Sequence, residues 1–414
     1  MKTAFLIAAP TSGSGKTTVA RALMAAYVRK GRRVQPFKCG PDYIDTKFHE
    51  AVCGRPSVNL DTFMASPDHV RSLFARYGDD ADVCIVEGMM GLFDGYDRDR
   101  GSAAEIARVL SLPVVLVVDA KSAAYSMAAL LQGFIGFRRD LQFAGVIFNK
   151  VGSERHRQML RQVCSDLGIH CLACIPRQQE LEQPSRYLGL DFSAIATPTY
   201  RQKPCRTVAN SNHPCRTVAD NTHPCRTVAD TFVARNAESF SFIYQETLDA
   251  MEAVTFFDPE TDLPCLDDCR LLYLPGGYPE KHLEALARAE ATRRAIRRYA
   301  EAGGRIVAEC GGMMYLCQKI VTDDGEYPMC GVLPYVVSSR KADRRLSLGY
   351  RQFTLDGRQF RGHEFHYTQF VGNVPPSACQ VFDALGRPVD TPVFRYKNTL
   401  ASYTHLYLNE TNLY

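Results

Sequence analysis

The sequence predicts an α/β protein with two domains, and three observations lead to that fold class. The chain has 414 residues, which is too many for one ordinary hydrophobic core. Short apolar runs alternate with amphipathic segments from residue 4 to about 176, and the same alternation resumes at residue 231. The runs are continuously apolar, which is typical of parallel strands covered by helices on both faces. We therefore expect two sheets that bind ligands at the carboxyl ends of their strands.

The first domain is predicted to span residues 1–200 and to contain a parallel sheet. Its first helix, TTVARALMAAYVRK, has apolar residues at helical spacing and ends before Gly31. Strands are predicted at 4–9, 33–39, 82–88, 113–120, 144–151 and 171–176.

A tandem repeat separates the two domains. Three near-identical units of ten residues, KPCRTVANSN, HPCRTVADNT and HPCRTVADTF, occupy residues 203–232. Each unit contains a proline and the period is too short for a solenoid, so we predict an interdomain linker over 201–230. A metal-binding module is the alternative, because the repeat places potential ligands in register: Cys205, Cys215, Cys225, His213 and His223.

The second domain is predicted to span residues 231–414. Helices are expected at 240–253 and at about 280–302, and strands at 231–236, 254–259, 269–277 and 305–310. The last of these strands leads directly into another helix. After about residue 330, short runs rich in aromatic and β-branched residues predict additional β structure. Four arginines at helical spacing predict a solvated helix face: Arg293, Arg294, Arg297 and Arg298.

Composition excludes several classes of protein. The apolar fraction is 46% and the charged fraction 23%, as in ordinary globular proteins. The net charge of +4 comes without a long basic run, so neither a nucleic acid nor a membrane surface is expected as a partner. There are fifteen cysteines, no secretory signal and no apolar stretch of membrane-spanning length. We therefore expect a reduced, cytoplasmic protein.

A phosphate-binding loop follows the first predicted strand. In APTSGSGKTT (9–18), glycines allow backbone N–H groups to face an anion, and the following helix N-terminus attracts negative charge. Lys16 can reach the β- and γ-phosphates of a nucleotide, and Thr17 can ligate Mg²⁺. Pro10 stands where a Walker A loop has its first glycine. We nevertheless predict an ATP site formed by Gly13, Ser14, Gly15, Lys16, Thr17 and Thr18.

Acidic residues lie at the ends of the neighbouring predicted strands. Asp45 and Glu87 are predicted to hold Mg²⁺ together with Thr17, because hard cations prefer carboxylate oxygens. Asp42 and Asp94 are weaker candidates for phosphate or substrate contacts, with a helix cap and a turn as the alternatives. Asn149 ends a later strand and is predicted to bind the nucleotide base, unless it only forms a turn.

A second candidate site lies in RIVAECGGMMYL (305–316). Cys310 stands between a predicted buried strand and a helix and is followed by two glycines, as in a nucleophile elbow. The helix N-terminus there favours the thiolate, so a nucleophile is expected rather than an inert buried thiol. His405 is the candidate base. Gly276 and Gly277, in PGGYPE, are weaker candidates for backbone donors to an oxyanion.

Three titratable residues stand close together in GHEFHYTQF (362–370). If this segment is a strand, Glu364 and His366 share one face and can pair, whereas His363 points to the other face. The sequence does not decide whether this cluster serves structural packing or supports the active site.

Taken in chain order, these motifs resemble the cobyrinate a,c-diamide synthase family of corrinoid biosynthesis. The resemblance extends over nearly the whole chain, through APTSGSGKTT, FKCGPDYID, RPSVNLD, VEGMMGLFDG, LPGGYPE, ECGGMMYL, GHEFHY and SYTHL. It implies a first domain similar to dethiobiotin synthetase and a second similar to class I glutamine amidotransferases. It also implies Cys310 as the nucleophile and His405 as the residue that raises its nucleophilicity. Many such amidotransferases have a Glu where this chain has Tyr407, so no third acid is assigned.

The resemblance also implies a reaction. Cys310 would release ammonia from L-glutamine through a thioester, and Mg²⁺ and ATP would activate the a and c acetate groups of cobyrinate as acyl phosphates that ammonia then attacks. The PSVNLD segment would help to hold the tetrapyrrole, with Asn59 and Asp61 as weak candidates. A homodimer is compatible with this family.

Two other functions remain open at this point. A related enzyme could amidate sirohydrochlorin or its nickel complex instead of a corrinoid. A regulatory P-loop ATPase with a degenerate second domain would lack Lys16, Cys310 or His405, and all three are present.

Overall fold

The computed structural model describes residues 3–177, 231–372 and 376–409. The chain divides into two compact units between residues 198 and 199. The predicted linker at 201–230, with its repeat and the metal-binding alternative, lies outside the described residues.

The first unit contains a sheet of seven parallel strands, as the continuous apolar runs predict. The strands are β1 (Thr3–Ala8), β2 (Val34–Cys39), β3 (Val58–Leu60), β4 (Val83–Glu87), β5 (Val114–Asp119), β6 (Phe143–Val151) and β7 (Cys171–Pro176). Their order in the sheet is β3-β2-β4-β1-β5-β6-β7. The connecting helices are α1 (Lys16–Arg29), α2 (Ile44–Cys53), α3 (Pro67–Gly78), α4 (Ala103–Leu110), α5 (Met127–Phe137) and α6 (Glu154–Asp166).

The second unit begins with a largely parallel sheet. Its elements are β8 (Thr231–Ala234), α7 (Gln245–Asp249), β9 (Val254–Phe257), β10 (Leu271–Leu274), α8 (Leu283–Arg288), α9 (Glu290–Glu301), β11 (Ile306–Glu309) and α10 (Gly311–Leu316). Later strands complete this sheet and form two smaller ones: β12 (Lys319–Val321), β13 (Glu326–Pro328), β14 (Val336–Ser338), β15 (Ser347–Leu355), β16 (Arg358–His366), β17 (Gln369–Val371), β18 (Val381–Phe382), β19 (Pro388–Val389), β20 (Val393–Tyr396), β21 (Thr399–Ser402) and β22 (His405–Leu406).

Strand pairing in the second unit brings distant parts of the chain together. The main sheet has the order β20-β21-β11-β10-β8-β9, and only the β20–β21 pair is antiparallel. A smaller antiparallel sheet has the order β19-β18-β15-β16-β22. The third sheet has the order β13-β12-β14-β17.

The main sheet of the second unit has an apolar core on each face. Along β11, Ile306 and Ala308 face one core, whereas Val307 faces the other. This alternation follows from the two-residue period of a strand. Cys310 belongs to the same core as Ile306 and Ala308, so by the same period Glu309 faces the opposite side.

Most of the predicted elements are present, with three differences. The six strands predicted in the first domain are confirmed, but β3 was not predicted. The predicted helix at 240–253 is wrong at both ends, because helix α7 spans only Gln245–Asp249. The predicted helix at 280–302 is interrupted at Ala289, where ψ is 55° and α8 gives way to α9. Across the described ranges, no helix combines the length and apolarity that crossing a membrane requires.

Candidate active sites

The phosphate-binding loop connects β1 to α1, as predicted. Gly13 and Gly15 have φ angles of 80° and 87°, which glycine adopts without steric cost. Such turns expose successive backbone N–H groups to an anion. The Lys16 ammonium donates a hydrogen bond to the carbonyl oxygen of Met90 at 2.6 Å. Burial, and then the charge of Lys38, lowers the pKa of Lys16 to about 8.

The hydroxyl side chains of the loop face in different directions. Ser14 is buried and donates to the carbonyl oxygen of Thr11 at 2.8 Å, which closes the loop on itself. Thr17 points towards the acidic strand ends, whereas Thr18 is exposed on α1. Contacts of these residues with a nucleotide stay predictions.

Thr17, Asp45 and Glu87 converge at the carboxyl ends of the strands. The Thr17 hydroxyl lies 2.5 Å from Glu87 Oε1 and 3.5 Å from Asp45 Oδ2. These hard oxygen donors fit Mg²⁺, which takes one or two carboxylates and completes its coordination with phosphate oxygens and water. In the part of the chain that the structure describes, no three His, Cys, Asp or Glu side chains are arranged to hold a metal by themselves.

A buried lysine that the sequence analysis did not single out lies among these carboxylates. Lys38 Nζ donates to Asp45 Oδ2 at 2.6 Å and to Glu87 Oε1 at 3.3 Å, and lies 3.6 Å from Asp42 Oδ2. Burial opposes its charge, but the carboxylates, Asp45 foremost, raise the pKa of Lys38. Lys38 and Glu87 are register partners on β2 and β4, so strand pairing sets this contact. In the sequence, the only indication of this role is the position of Lys38 near the end of a predicted strand.

The four weaker candidates of the first site all bind nearby backbone groups. Asp42 Oδ1 accepts hydrogen bonds from the N–H groups two and three residues later, at 2.8 and 3.0 Å, and thus lies at the start of α2. Asp61 Oδ1 likewise accepts hydrogen bonds from the N–H groups two and three residues later, both at 2.8 Å. Asp94 accepts from the N–H group three residues earlier, and Asn59 donates to the carbonyl oxygens of residues 40 and 42. Their contacts with substrate stay predictions.

Asn149 lies against the phosphate-binding loop. Its amide Nδ2 donates to the carbonyl oxygen of Ser14 at 3.0 Å. A Cβ atom on Gly15 would collide with that amide, so close packing as well as the positive φ requires glycine there. The structure thus places Asn149 at the loop, while its contact with a base stays a prediction.

Cys310 occupies a sharp turn between β11 and α10, as predicted for a nucleophile elbow. Its φ of 45° and ψ of −105° lie in a region that residues other than glycine seldom adopt. Its N–H group donates to the carbonyl oxygen of Ser402, on the neighbouring strand β21, at 2.8 Å. A Cβ atom on Gly312 would collide with the carbonyl oxygen of Leu274. The turn therefore depends on close backbone packing.

The PGGYPE turn connects the surroundings of Cys310 with His405. A Cβ atom on Gly311 would lie 3.0 Å from the Gly277 carbonyl oxygen, and one on Gly276 would collide with the His405 ring. The structure thus brings the predicted nucleophile turn, the two candidate glycines and the candidate base into one region. The oxyanion role of Gly276 and Gly277 stays a prediction.

Burial opposes charge on both members of the predicted dyad. Burial raises the pKa of the Cys310 thiol, and the nearby Glu280 adds to this effect. Burial, followed by the charge of His363, lowers the pKa of His405 to about 3; His363 is its register partner across β16 and β22. Burial therefore opposes the thiolate that the helix N-terminus was expected to favour, and the charge state of Cys310 stays a prediction.

Glu364 and His366 pair on one face of β16, as predicted. His366 Nε2 lies 2.7 Å from Glu364 Oε1, and Arg351 Nε lies 2.5 Å from the other oxygen. Burial opposes ionisation, but the bond from His366 and the charge of Arg351 lower the pKa of Glu364 to about 2. The His366 ring stacks on Tyr403 with centroids 3.6 Å apart. The cluster therefore packs against the segment that carries His405.

Comparisons with known proteins match a domain family to each part of the chain. Residues 5–190 match the CobQ/CobB/MinD/ParA nucleotide binding domain, and residues 235–413 match the CobB/CobQ-like glutamine amidotransferase domain. The chain is 38% identical to hydrogenobyrinate a,c-diamide synthase of Rhizobium meliloti, covering 97% of this chain and 98% of the relative. It is 36% identical to cobyrinate a,c-diamide synthase of Caldanaerobacter subterraneus, covering 98% and 95%. The chain belongs to the cobyrinate a,c-diamide synthase family.

Membership of the a,c-diamide synthase family accounts for the presence of two different sites in one chain. A relative from Pseudomonas aeruginosa, named hydrogenobyrinate a,c-diamide synthase, is 38% identical over 98% of this chain and 94% of its own length. This chain combines a nucleotide-binding domain with a glutamine amidotransferase domain that follows it. The chain is accordingly a glutamine-dependent, amide-forming ligase of the α/β class.

Proposed function

We propose that this chain converts the a and c acetate carboxylates of a cobyrinate-type corrinoid to amides, with glutamine as nitrogen donor and ATP as energy source. The supporting observation is that one chain carries the strained Cys310 turn beside His405 and also the Lys16 loop beside Glu87. A carboxylate does not react with ammonia until its oxygen becomes a leaving group. An enzyme that forms an amide therefore needs a source of ammonia and a means of activating the acid, and this chain carries a candidate for each.

The glutamine half-reaction would begin with two neutral groups. His405 accepts the proton of the Cys310 thiol as sulfur attacks the glutamine carboxamide, and backbone N–H groups near Gly276 stabilise the developing oxyanion. The protonated imidazole then gives its proton to the departing ammonia. Water cleaves the remaining thioester to give glutamate and restores the thiol.

The ATP half-reaction would take place beside the phosphate-binding loop. The loop N–H groups and Lys16 bind the phosphates, and a substrate acetate attacks the γ-phosphorus to give an acyl phosphate and ADP. Ammonia attacks the acyl carbon, and inorganic phosphate departs. Thr17, Asp45 and Glu87 would hold Mg²⁺, which when bound supplies positive charge to the phosphate oxygens.

Isotope transfer tests this proposal. The chain is incubated with cobyrinate, ATP, Mg²⁺ and glutamine labelled with ¹⁵N in its side-chain amide, and the corrinoid is analysed by mass spectrometry. We expect two successive replacements of OH by labelled NH₂, and none when ATP is omitted. A parallel incubation with sirohydrochlorin tests the alternative substrate. If neither tetrapyrrole acquires label, the proposal is wrong; if only sirohydrochlorin does, the alternative substrate is correct.

A further inference from the structure

The two carboxylate oxygens of Glu87 have different partners. Oε1 accepts from Thr17 at 2.5 Å and from Lys38 at 3.3 Å, on the side of the phosphate-binding loop. Oε2 lies 2.7 Å from His49 Nε2, on the opposite side. Both Glu87 and His49 have no exposed surface. The imidazole thus holds one oxygen of the carboxylate while the other faces the proposed ligand edge.

His49 is itself held in place through its second nitrogen. Nδ1 lies 3.0 Å from the hydroxyl oxygen of Ser57, which directly precedes β3. A carboxylate can only accept hydrogen bonds, so Nε2 is the donor to Glu87, and the Ser57 hydroxyl can donate to Nδ1. With a partner on each nitrogen, the ring plane and its position are both fixed.

Helix α2 supplies both His49 and Asp45. The two residues are four positions apart, so they lie on the same face of the helix. Asp45 reaches Lys38 and Thr17 from the first turn of the helix, and His49 reaches Glu87 from the next turn. One helix therefore carries a proposed metal ligand and the group that orients the other ligand.

We infer that His49 is a positioning residue for the magnesium edge: it holds Glu87 Oε2 so that Oε1 faces Thr17. The inference rests on the proposed Mg²⁺-ATP site and adds to it a residue that touches neither the metal nor the substrate. Groups that orient metal-binding side chains change metal affinity by roughly 10–100-fold when they are removed. A histidine that only filled space in the core would not control metal affinity in this way.

Two polar substitutions of His49 distinguish a positioning role from a purely structural one. The His49→Gln side chain is long enough to place an amide N–H near the position of Nε2, whereas the His49→Asn side chain reaches only the region of Nδ1. The full chain is titrated with Mn²⁺ in the presence of a non-hydrolysable ATP analogue, and free Mn²⁺ is measured by electron paramagnetic resonance. We expect His49→Asn to weaken Mn²⁺ binding roughly 10–100-fold and His49→Gln to stay within a few-fold of wild type. His170→Ala, at an exposed histidine of the same unit, is the control.

The outcomes distinguish the inference from the proposed function. Equal Mn²⁺ affinity in wild type and His49→Asn overturns the positioning role. Equal loss in both His49 variants, with the same lowered melting temperature in metal-free buffer, also overturns it, because the histidine is then purely structural. Failure of the wild-type chain to bind Mn²⁺ with the analogue overturns the proposed magnesium site itself.

Discussion

Lys38 places a buried ammonium group 2.6 Å from Asp45 and 3.3 Å from Glu87. The Lys38→Met substitution removes this charge and leaves buried carboxylates without compensation, which typically costs about 3–5 kcal/mol. We expect reduced hydrogen-exchange protection in peptides that cover β2 and β4. Mg²⁺ should restore part of that protection, because the cation compensates the same carboxylates.

Lys150 provides a matched control in the same unit. It pairs with Asp119 at 2.7 Å, but both side chains are partly exposed. Exposed pairs contribute only about 0–1 kcal/mol, so Lys150→Met should change protection little. Equal losses in the two variants would contradict the role given to the buried Lys38.

Glu309 makes the stability of the second unit depend on pH. Its carboxylate lies 2.9 Å from the Tyr273 hydroxyl, and burial raises its pKa from 4.5 to about 8. Between these two values the folded chain keeps a proton that the unfolded chain loses, so wild-type stability falls as pH rises. Glu309→Gln cannot titrate. Its free energy of unfolding should therefore rise relative to that of wild type as the pH increases from 4.5 to about 8, by at most about 1.4 kcal/mol per pH unit. Melting temperatures of both chains across this pH range measure the change.

An exposed acid serves as the comparison for Glu309. Glu290 lies on the exposed surface of α9. Removing its charge should therefore affect the folded and the unfolded chain almost equally. The Glu290→Gln chain should keep a constant offset from wild type across the same pH series. A constant offset for Glu309→Gln as well would show that Glu309 is ionised in the folded chain.

The PGGYPE turn is the element that sets the position of His405. Gly276→Ala would place a methyl group where the imidazole lies, and the ring would have to move away from the Cys310 turn. We expect glutamine hydrolysis to fall by about 100-fold or more, since small displacements of reacting groups have effects of that size. The ammonia-dependent reaction should be unaffected. The measurement is initial glutamate release beside ammonia-dependent amidation.

Gly325→Ala is the matched substitution for Gly276→Ala. A Cβ atom at Gly325 would meet only the ring of Tyr327, at 3.8 Å or more. Both glycines lie in the second unit, so general effects of an added methyl group are shared. If Gly276→Ala hydrolyses glutamine as fast as Gly325→Ala, the turn does not position His405.

Local sequence patterns predicted helices and strands well where buried apolar residues form a continuous run, and failed where they do not. β4 and β5 are runs of buried apolar residues, and their assignment needed no tertiary information. The wrong start of the helix predicted at 240–253 has a physical reason: Phe240, Phe242 and Tyr244 are buried at alternate positions, which suits an extended segment. Three-residue β3 is too short to show a period.

The same distinction applies to the sites. Cys310 could be predicted because its strand, glycines and helix are adjacent in the sequence. Lys38 and His49 were not predicted, because their contacts depend on β2 pairing with β4 and on α2 facing that pair. Strand-end positions indicated which residues share this edge of the sheet, but not which of them form hydrogen bonds with one another.

At the scale of the whole molecule, the proposed function assigns one half-reaction to each unit. Two substitutions test this assignment. Cys310→Ala removes the proposed nucleophile and Lys16→Met removes the loop ammonium. Each reaction is measured in both variants: glutamate release, amidation with glutamine and amidation with added ammonia. The comparison uses the full chain throughout, so each variant keeps the other site intact.

We expect opposite losses in the two variants. Cys310→Ala should lower glutamate release and glutamine-dependent amidation by at least about 1000-fold, because the covalent step has no substitute, while ammonia-dependent amidation continues. Lys16→Met should lower amidation with either nitrogen donor by roughly 100–1000-fold, because the charge on the transferred phosphate loses a cation, while glutamate release continues. Glutamine-dependent amidation by Cys310→Ala would show that another group is the nucleophile. Loss of ammonia-dependent amidation in Cys310→Ala would show that the second unit takes part in activating the acid, because free ammonia then fails to bypass it.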